Sequence, residues 1–344
     1  MAKTSGTVPP VAVLVRRGER VESEHRVGFA VAAPDGRVLE AAGDAEREIF
    51  PRSAIKPLQA LALIESGAAD RFAVSEPELA LACASHSGEP EHVALVRAWL
   101  ARLGIDPAAL ECGAHPPLHA PAAQRLAAAR RRPEPVHNNC SGKHAGMLTV
   151  ARHLGAPIAG YTRAEHAVQR LIADILRDLA GLAALPAPAI DGCGVPTWPI
   201  PLGRLAAALA RFAHPVGLPA ARADACARLQ AAMLAHPHLV AGTDRACTEI
   251  MSVAPEVLVK TGAEGVYAAC LLKRRLGLVL KVEDGAGRAA PVALLALLRA
   301  LGALDAKAAA SLAGRMQPEL RNHAGLVVGR IEPAVGWPAL RQRS

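Results

Sequence analysis

Apolar positions along the chain fall into three regimes. Val11 to Val15 is a short apolar run, residues 27–41 run or alternate apolar, and Pro34-Asp35-Gly36 interrupts them as a turn. The chain is therefore expected to open with a meander of strands over about 11–41, with polar Arg16 to Arg26 connecting the first two. From Ser53 the period lengthens. Residues 53–66 read as a helix stopped at Gly67, and helical patterns dominate to about 240, broken by Pro- and Gly-rich loops at 113–121, 133–143 and 184–203. Ala-Leu-Arg stretches at 121–132 and 290–303 are predicted helices. The last third, about 255–332, returns to strands: Val257 to Lys260, Leu278 to Val282 and Gly325 to Ile331. Strands at both ends with helices inserted between them predict an α/β sandwich in which the two ends of the chain meet in one antiparallel sheet. The length of 344 residues fits one elaborate domain, 1–344, or two joined halves.

Composition narrows the class. Half the residues are apolar, yet only 3% are aromatic, so the core rests on Ala, Leu and Val. No apolar run nears the roughly 20 residues that span a bilayer. Near the start, Lys3 is followed only by the Val11–Val15 run, which Arg16 and Arg17 close too soon for a signal-peptide core, and the expectation is a cytoplasmic protein with no membrane partner. Seven scattered cysteines read as reduced thiols. The net charge of +8 comes from dispersed arginines without interleaved aromatics, which reads as a solvated surface and not a nucleic-acid interface. Only seven of the 39 basic residues are Lys, at 3, 56, 143, 260, 273, 281 and 307, so each Lys draws notice. Burial can deprotonate Lys and never Arg, which makes Lys available as a base or a metal ligand.

Four polar clusters carry candidate chemistry. In Arg52-Ser53-Ala54-Ile55-Lys56-Pro57, a helix opening at Ser53 would put Lys56 one turn on, within reach of the hydroxyl as a base. Pro57 works against that geometry, because it lacks an N–H and disfavours helical backbone at Lys56. The second and third clusters are Cys83-Ala84-Ser85-His86-Ser87-Gly88-Glu89 and the strand end Lys260-Thr261-Gly262. Ser-x-x-Lys, a Ser-x-Ser loop and Lys-Thr-Gly in this order resemble the three signatures of serine β-lactamases and penicillin-binding proteins. Here the first two lie only 32 residues apart and the middle one is not Ser-Asp-Asn. The fourth cluster pairs His137-Asn138-Asn139-Cys140-Ser141-Gly142-Lys143-His144 with Asp191-Gly192-Cys193-Gly194. By spacing alone, Cys140 and Cys193 read as buried reduced thiols or as ligands of a shared ion, and His137 and His144 as ligands, catalytic groups or loop packing. Cys247 reads as structural.

Together these four blocks resemble the rhizobial-type (class 3) L-asparaginase family over roughly residues 11–332. The resemblance implies a β-lactamase-like fold, a homodimer, and two Ser-Lys pairs, Ser53 with Lys56 and Ser85 with Lys260. It also implies zinc held by Cys140, Lys143, Cys193 and water. The expected reaction is hydrolysis of L-asparagine to L-aspartate and ammonia through a Ser-Lys acyl-enzyme, with Ser53 the favoured nucleophile. Asparagine carries an α-ammonium and an α-carboxylate, so Asp191 and Arg52 are expected to bind them, with Cys140 and His144 also facing substrate. Clustered lysines are expected to lower one another's pKa. The competing expectations are a glutaminase, a β-lactamase or peptidase-like acyl transferase, and a non-catalytic zinc-dependent amino-acid binding protein.

Overall fold

The structure is a computed structural model that describes residues 8–340. Lys3, part of the leader argument, lies outside the described residues. The described chain divides into two compact units, the first from 8–54, 200–214 and 249–340, the second from 55–199 and 215–248.

The first unit is built on an antiparallel sheet. Its strands are β1 (Val11–Arg17), β2 (Arg20–Ala32), β3 (Val38–Ala42), β4 (Val257–Thr261), β5 (Val266–Leu271), β6 (Leu276–Val282), β7 (Glu319–Arg321) and β8 (Val327–Pro333). They run in the order β7-β8-β1-β2-β6-β5-β4, with β3 also on β2. The first and last long strands pair directly, Val15 opposite Ile331, so the ends do share one sheet. The expected polar connection at Arg16 to Arg26 is instead mostly strand. Arg20 to Arg26 forms an antiparallel hairpin with β1, and its polar side chains are tolerated because that half of β2 is largely exposed. Val27 to Ala32, the buried half, pairs with β6 and β3 at the centre of the sheet. β5, unforeseen in the Gly-punctuated segment, is buried at every position, as is nearly all of β6, so both faces of these strands are covered. Helices Leu202–Ala213 and Ala290–Ala300 pack on them.

The second unit is helical: α1 (Lys56–Glu65), α2 (Glu76–Ala82), α3 (Pro90–Arg102), α4 (Ser141–His153), α5 (Ala167–Ala180) and α6 (Ala220–Ala235). α1 is central and packs on α4, α5 and α6, and every residue from Lys56 to Ile64 is buried, which explains its all-round apolar sequence. The helix expected from Ser53 begins later. Arg52–Ile55 is a 3-10 turn and α1 starts at Lys56, because Pro57 supplies no N–H to Ser53 and fits only the first turn of an α-helix. The predicted helices at 121–132 and 290–303 are shorter, Ala120–Ala128 and Ala290–Ala300.

Candidate functional site

Lys56 is the centre of a buried polar cluster in the second unit. Its side chain is fully buried at the head of α1, and Nζ lies 2.6 Å from the Ala84 carbonyl, 2.9 Å from Ser85 Oγ and 3.1 Å from Cys140 Sγ. Ser85 follows the C-terminal end of α2, and its N–H donates to the Val240 carbonyl at 3.0 Å, which fixes the loop carrying the hydroxyl. A neutral amine has two protons and one lone pair. Given to Ala84 O and Cys140 Sγ, the two protons leave the lone pair for the hydroxyl proton of Ser85.

Cys140 caps α4, and Lys143 and His144 occupy its first turn, all three buried. Asn138 shapes the approach, its Oδ1 accepting the Cys140 N–H at 2.8 Å and its Nδ2 donating to the Cys112 carbonyl at 2.8 Å. Gly142 is required here, because a Cβ on it would lie 2.3 Å from the Leu81 carbonyl oxygen of α2. Cys193 sits in a turn pinned between Ala189–Ile190 and Pro196–Thr197, which pair antiparallel, with Gly194 N–H donating to Asp191 O at 2.8 Å. Lys143 Nζ then donates to Cys193 Sγ at 3.0 Å, and Cys140 Sγ lies 3.2 Å from Asn139 Oδ1.

The charges divide unevenly over this group. The neighbouring Cys193, against burial and aided by Lys56 and Lys143, holds Cys140 well below the ordinary thiol range, while Cys140 and burial push Cys193 up. The expectation that clustered lysines lower one another fails at Lys143. Burial lowers it, but the charges of Cys193 and Cys140 prevail and raise it above the usual lysine range. The set suits zinc: two sulfurs and an amine converge at a buried point, and these are ligands zinc takes once deprotonated. Asp191 is half-buried, near enough to raise Lys143 electrostatically, with Oδ1 accepting the Gly192 N–H at 2.8 Å.

His144 has a partner the sequence did not flag. Its Nδ1 lies 2.6 Å from the Tyr161 hydroxyl, which accepts the Glu111 N–H at 2.9 Å. The Tyr161 proton therefore goes to Nδ1, and the ring carries its own proton on Nε2, a buried atom with no hydrogen-bond partner among the described residues. Burial, with the charges of Lys143 and Lys56, pushes the imidazolium well below its usual range, so the ring is neutral. Tyr161 is one of only two tyrosines, and that rarity was the available signal. His137 packs against its own loop, Nδ1 accepting the Glu134 N–H at 3.0 Å.

The first unit carries Ser53 and Lys260. Ser53 lies in the 3-10 turn beside Arg52, which is half-buried and held at φ +51°, a strained conformation for a residue with a side chain. Lys260 is buried on β4, its Nζ donating to the Thr261 carbonyl at 3.0 Å. Gly262 lets that strand end close on the serine turn, since a Cβ there would lie 2.7 Å from Pro51 O. The Lys-Thr-Gly tripeptide and the Ser53 turn are therefore neighbours in space. Cys247 is buried, as expected of a structural thiol.

Among solved structures the chain is similar to Mglu in its native form, at 18% identity over 82% of this chain with a TM-score of 0.48. It spans 66% of that protein's length. A β-lactamase from Mycobacterium bovis matches at 17% identity over 84% of this chain and 95% of its own, with a TM-score of 0.40. A putative β-lactamase from Bacteroides dorei DSM 17855 matches at 12% identity over 80% of this chain and 86% of its own, with a TM-score of 0.38. No curated protein matches by sequence. The family model described as L-asparaginase II matches residues 13–333, almost the whole chain, and the chain belongs to the L-asparaginase II family.

Proposed function

We propose that the chain hydrolyses L-asparagine to L-aspartate and ammonia through an acyl-enzyme on serine. The observation that carries this reading, beside the family, is the buried Lys56 with Nζ 2.9 Å from Ser85 Oγ. Neutral Lys56 takes the hydroxyl proton as Oγ bonds to the amide carbonyl carbon, and returns it to nitrogen as the C–N bond breaks and ammonia leaves. Water then attacks the ester, its proton passing to the same amine and on to the serine Oγ as the C–O bond breaks and aspartate departs. The contact with Lys56 favours Ser85 as the attacking group, whereas chain order favours Ser53. Lys260 is the second proposed base. Asp191 is the proposed partner of the substrate ammonium, Arg52 of its carboxylate, and the Nε2–H of His144 is a donor for a substrate oxygen, with Cys140 lining the same cluster.

When bound, zinc would be held by Cys140, Lys143 and Cys193, and would fix these side chains and polarise nearby oxygens. A homodimer is part of the proposal, read by light scattering, and so is a cytoplasmic location. Among the described residues no helix is long and apolar enough to cross a membrane.

Ammonia release from asparagine, glutamine and a dipeptide, measured for the natural chain and for Ser53→Ala and Ser85→Ala, tests the reading. The nucleophile's alanine variant is expected to lose activity by about 10²-fold or more. Release surviving both substitutions would sink the acyl-enzyme. Glutamine turned over faster than asparagine would move the substrate to its longer homologue, and nitrocefin cleavage would move the enzyme to the β-lactams.

A further inference from the structure

Glu111 holds the turn that carries Tyr161 at three points. Residues 154–166 join α4 to α5 with neither helix nor strand, so bonds from outside the segment must fix the place of the Tyr161 ring. Gly160 to Arg163 is a turn, closed by the Arg163 N–H donating to the Gly160 carbonyl at 3.0 Å. Glu111 clamps it on both sides of the tyrosine: Oε1 accepts the Gly160 N–H and Oε2 the Thr162 hydroxyl, at 2.6 Å each. The Glu111 N–H meets the tip of the side chain between them, donating to the Tyr161 hydroxyl at 2.9 Å. Buried Gln169 secures the backbone of the same residue, Nε2 donating to the Tyr161 carbonyl at 2.9 Å. Glu111 itself has a firm seat, because the carbonyl of its neighbour Cys112 accepts from Asn138 Nδ2 at 2.8 Å.

The hydroxyl held in this way is the one that meets His144. It lies 2.6 Å from Nδ1, and the two rings stand edge to face, their centroids 5.5 Å apart at 79°. While the Tyr161 oxygen accepts from Glu111, its proton goes to Nδ1, and that bond sets the imidazole proton on Nε2. A tyrosine released from the clamp would let Nδ1 carry the proton, and Nε2 would change from donor to acceptor. Nε2 is buried without a hydrogen-bond partner among the described residues, and the charges of Lys143 and Lys56 reach the same ring.

We propose that Glu111 is a positioning residue, which by clamping the 160–162 turn sets, through Tyr161, the tautomer and orientation of His144 for a substrate oxygen. This rests on the reading of His144 Nε2–H as a substrate donor. The Lys56 contact with Ser85 is made elsewhere, between α1 and the end of α2, so loss of the clamp should be felt in substrate binding and not in the chemical step.

The full chain is made with nitrogen-15-labelled histidine, the His144 ring is assigned by comparison with His144→Gln, and ring correlation spectra give its tautomer. KM and kcat for asparagine are measured on the same samples. The natural chain should carry the His144 proton on Nε2 alone. Glu111→Ala should show both tautomers and a KM raised about tenfold, the worth of one hydrogen bond, with kcat held within about twofold. Glu111→Gln should restore the natural tautomer and KM, since its amide can accept the Gly160 N–H and donate to a rotated Thr162 hydroxyl. An unchanged tautomer or an unchanged KM in Glu111→Ala would overturn the proposal, whatever that variant loses in urea stability. If the natural chain releases no ammonia from asparagine, the functional reading fails, and the tautomer in Glu111→Ala alone decides whether Glu111 positions His144. Should Glu111→Ala fail to fold, Thr162→Val, which removes one of the two clamp bonds, decides by the same rule.

Discussion

Gly142→Ala is the sharpest test of how the cluster is assembled. The new Cβ would stand 2.3 Å from Leu81 O and 2.6 Å from Leu81 Cγ, where ordinary contact begins at 3.4 Å, so about 1.1 Å must be found between α2 and α4. Leu81 O cannot simply swing away, because it accepts the Ala84 N–H at 3.1 Å, and Ala84 in turn gives its carbonyl to Lys56. The strain therefore passes to Ser85 on one side and to Cys140 and Lys143 on the other. Alanine gains about 1 kcal/mol of helix propensity over glycine, but overpacking of this kind costs about 1–3 kcal/mol, and here it meets backbone. The expected net is a loss of about 1–2 kcal/mol in urea unfolding, and a fall in ammonia release of about 10²-fold from a shift near 1 Å at the reacting groups. A variant as stable as the natural chain with full activity would refute this account of Gly142.

Three further outcomes follow from the geometry. Tyr161→Phe leaves His144 Nδ1 unpaired in a buried site and removes the acceptor from the part-buried Glu111 N–H, and should cost about 1–3 kcal/mol in denaturant unfolding and release the His144 tautomer, visible by nitrogen NMR. Lys56→Met removes the donor from the Ala84 carbonyl and Cys140 Sγ and the base from Ser85, so activity should drop by about 10²- to 10⁴-fold, and a variant retaining activity would remove Lys56 from the mechanism. Glu332 is raised by burial, but its bonds to Arg330 and Arg16 prevail and hold it below the ordinary carboxylate range. Its stabilisation is thus present above the unfolded-state pKa and lost as pH falls through the depressed folded one. The Tm gap between the natural chain and Glu332→Gln should be open at neutral pH and close in acid.

The sequence by itself determined the general plan and singled out the candidate polar clusters. Long motifs around Ser53, Ser85, Cys140 and Cys193 were legible because they are local strings, and the strand-helix-strand order was legible because periodicity is local too. Ser-x-x-Lys spacing suggested that Lys56 serves Ser53, yet the contact within the second unit is between Lys56 and Ser85, 29 residues along the chain. No periodicity encodes that meeting, since it depends on how α1 and the end of α2 pack. The same holds for the bond between Lys143 and Cys193 across 50 residues, and for the Tyr161 hydroxyl that sets the proton on His144. Lone groups have pKa directions set by their own chemistry. Tertiary structure reversed one of them, raising buried Lys143 because two sulfurs 140 and 193 along the chain came to rest beside it. The polar half of β2 was misread for a related reason: a strand needs a partner more than it needs apolar side chains, and its partner β1 became visible only once the hairpin had formed.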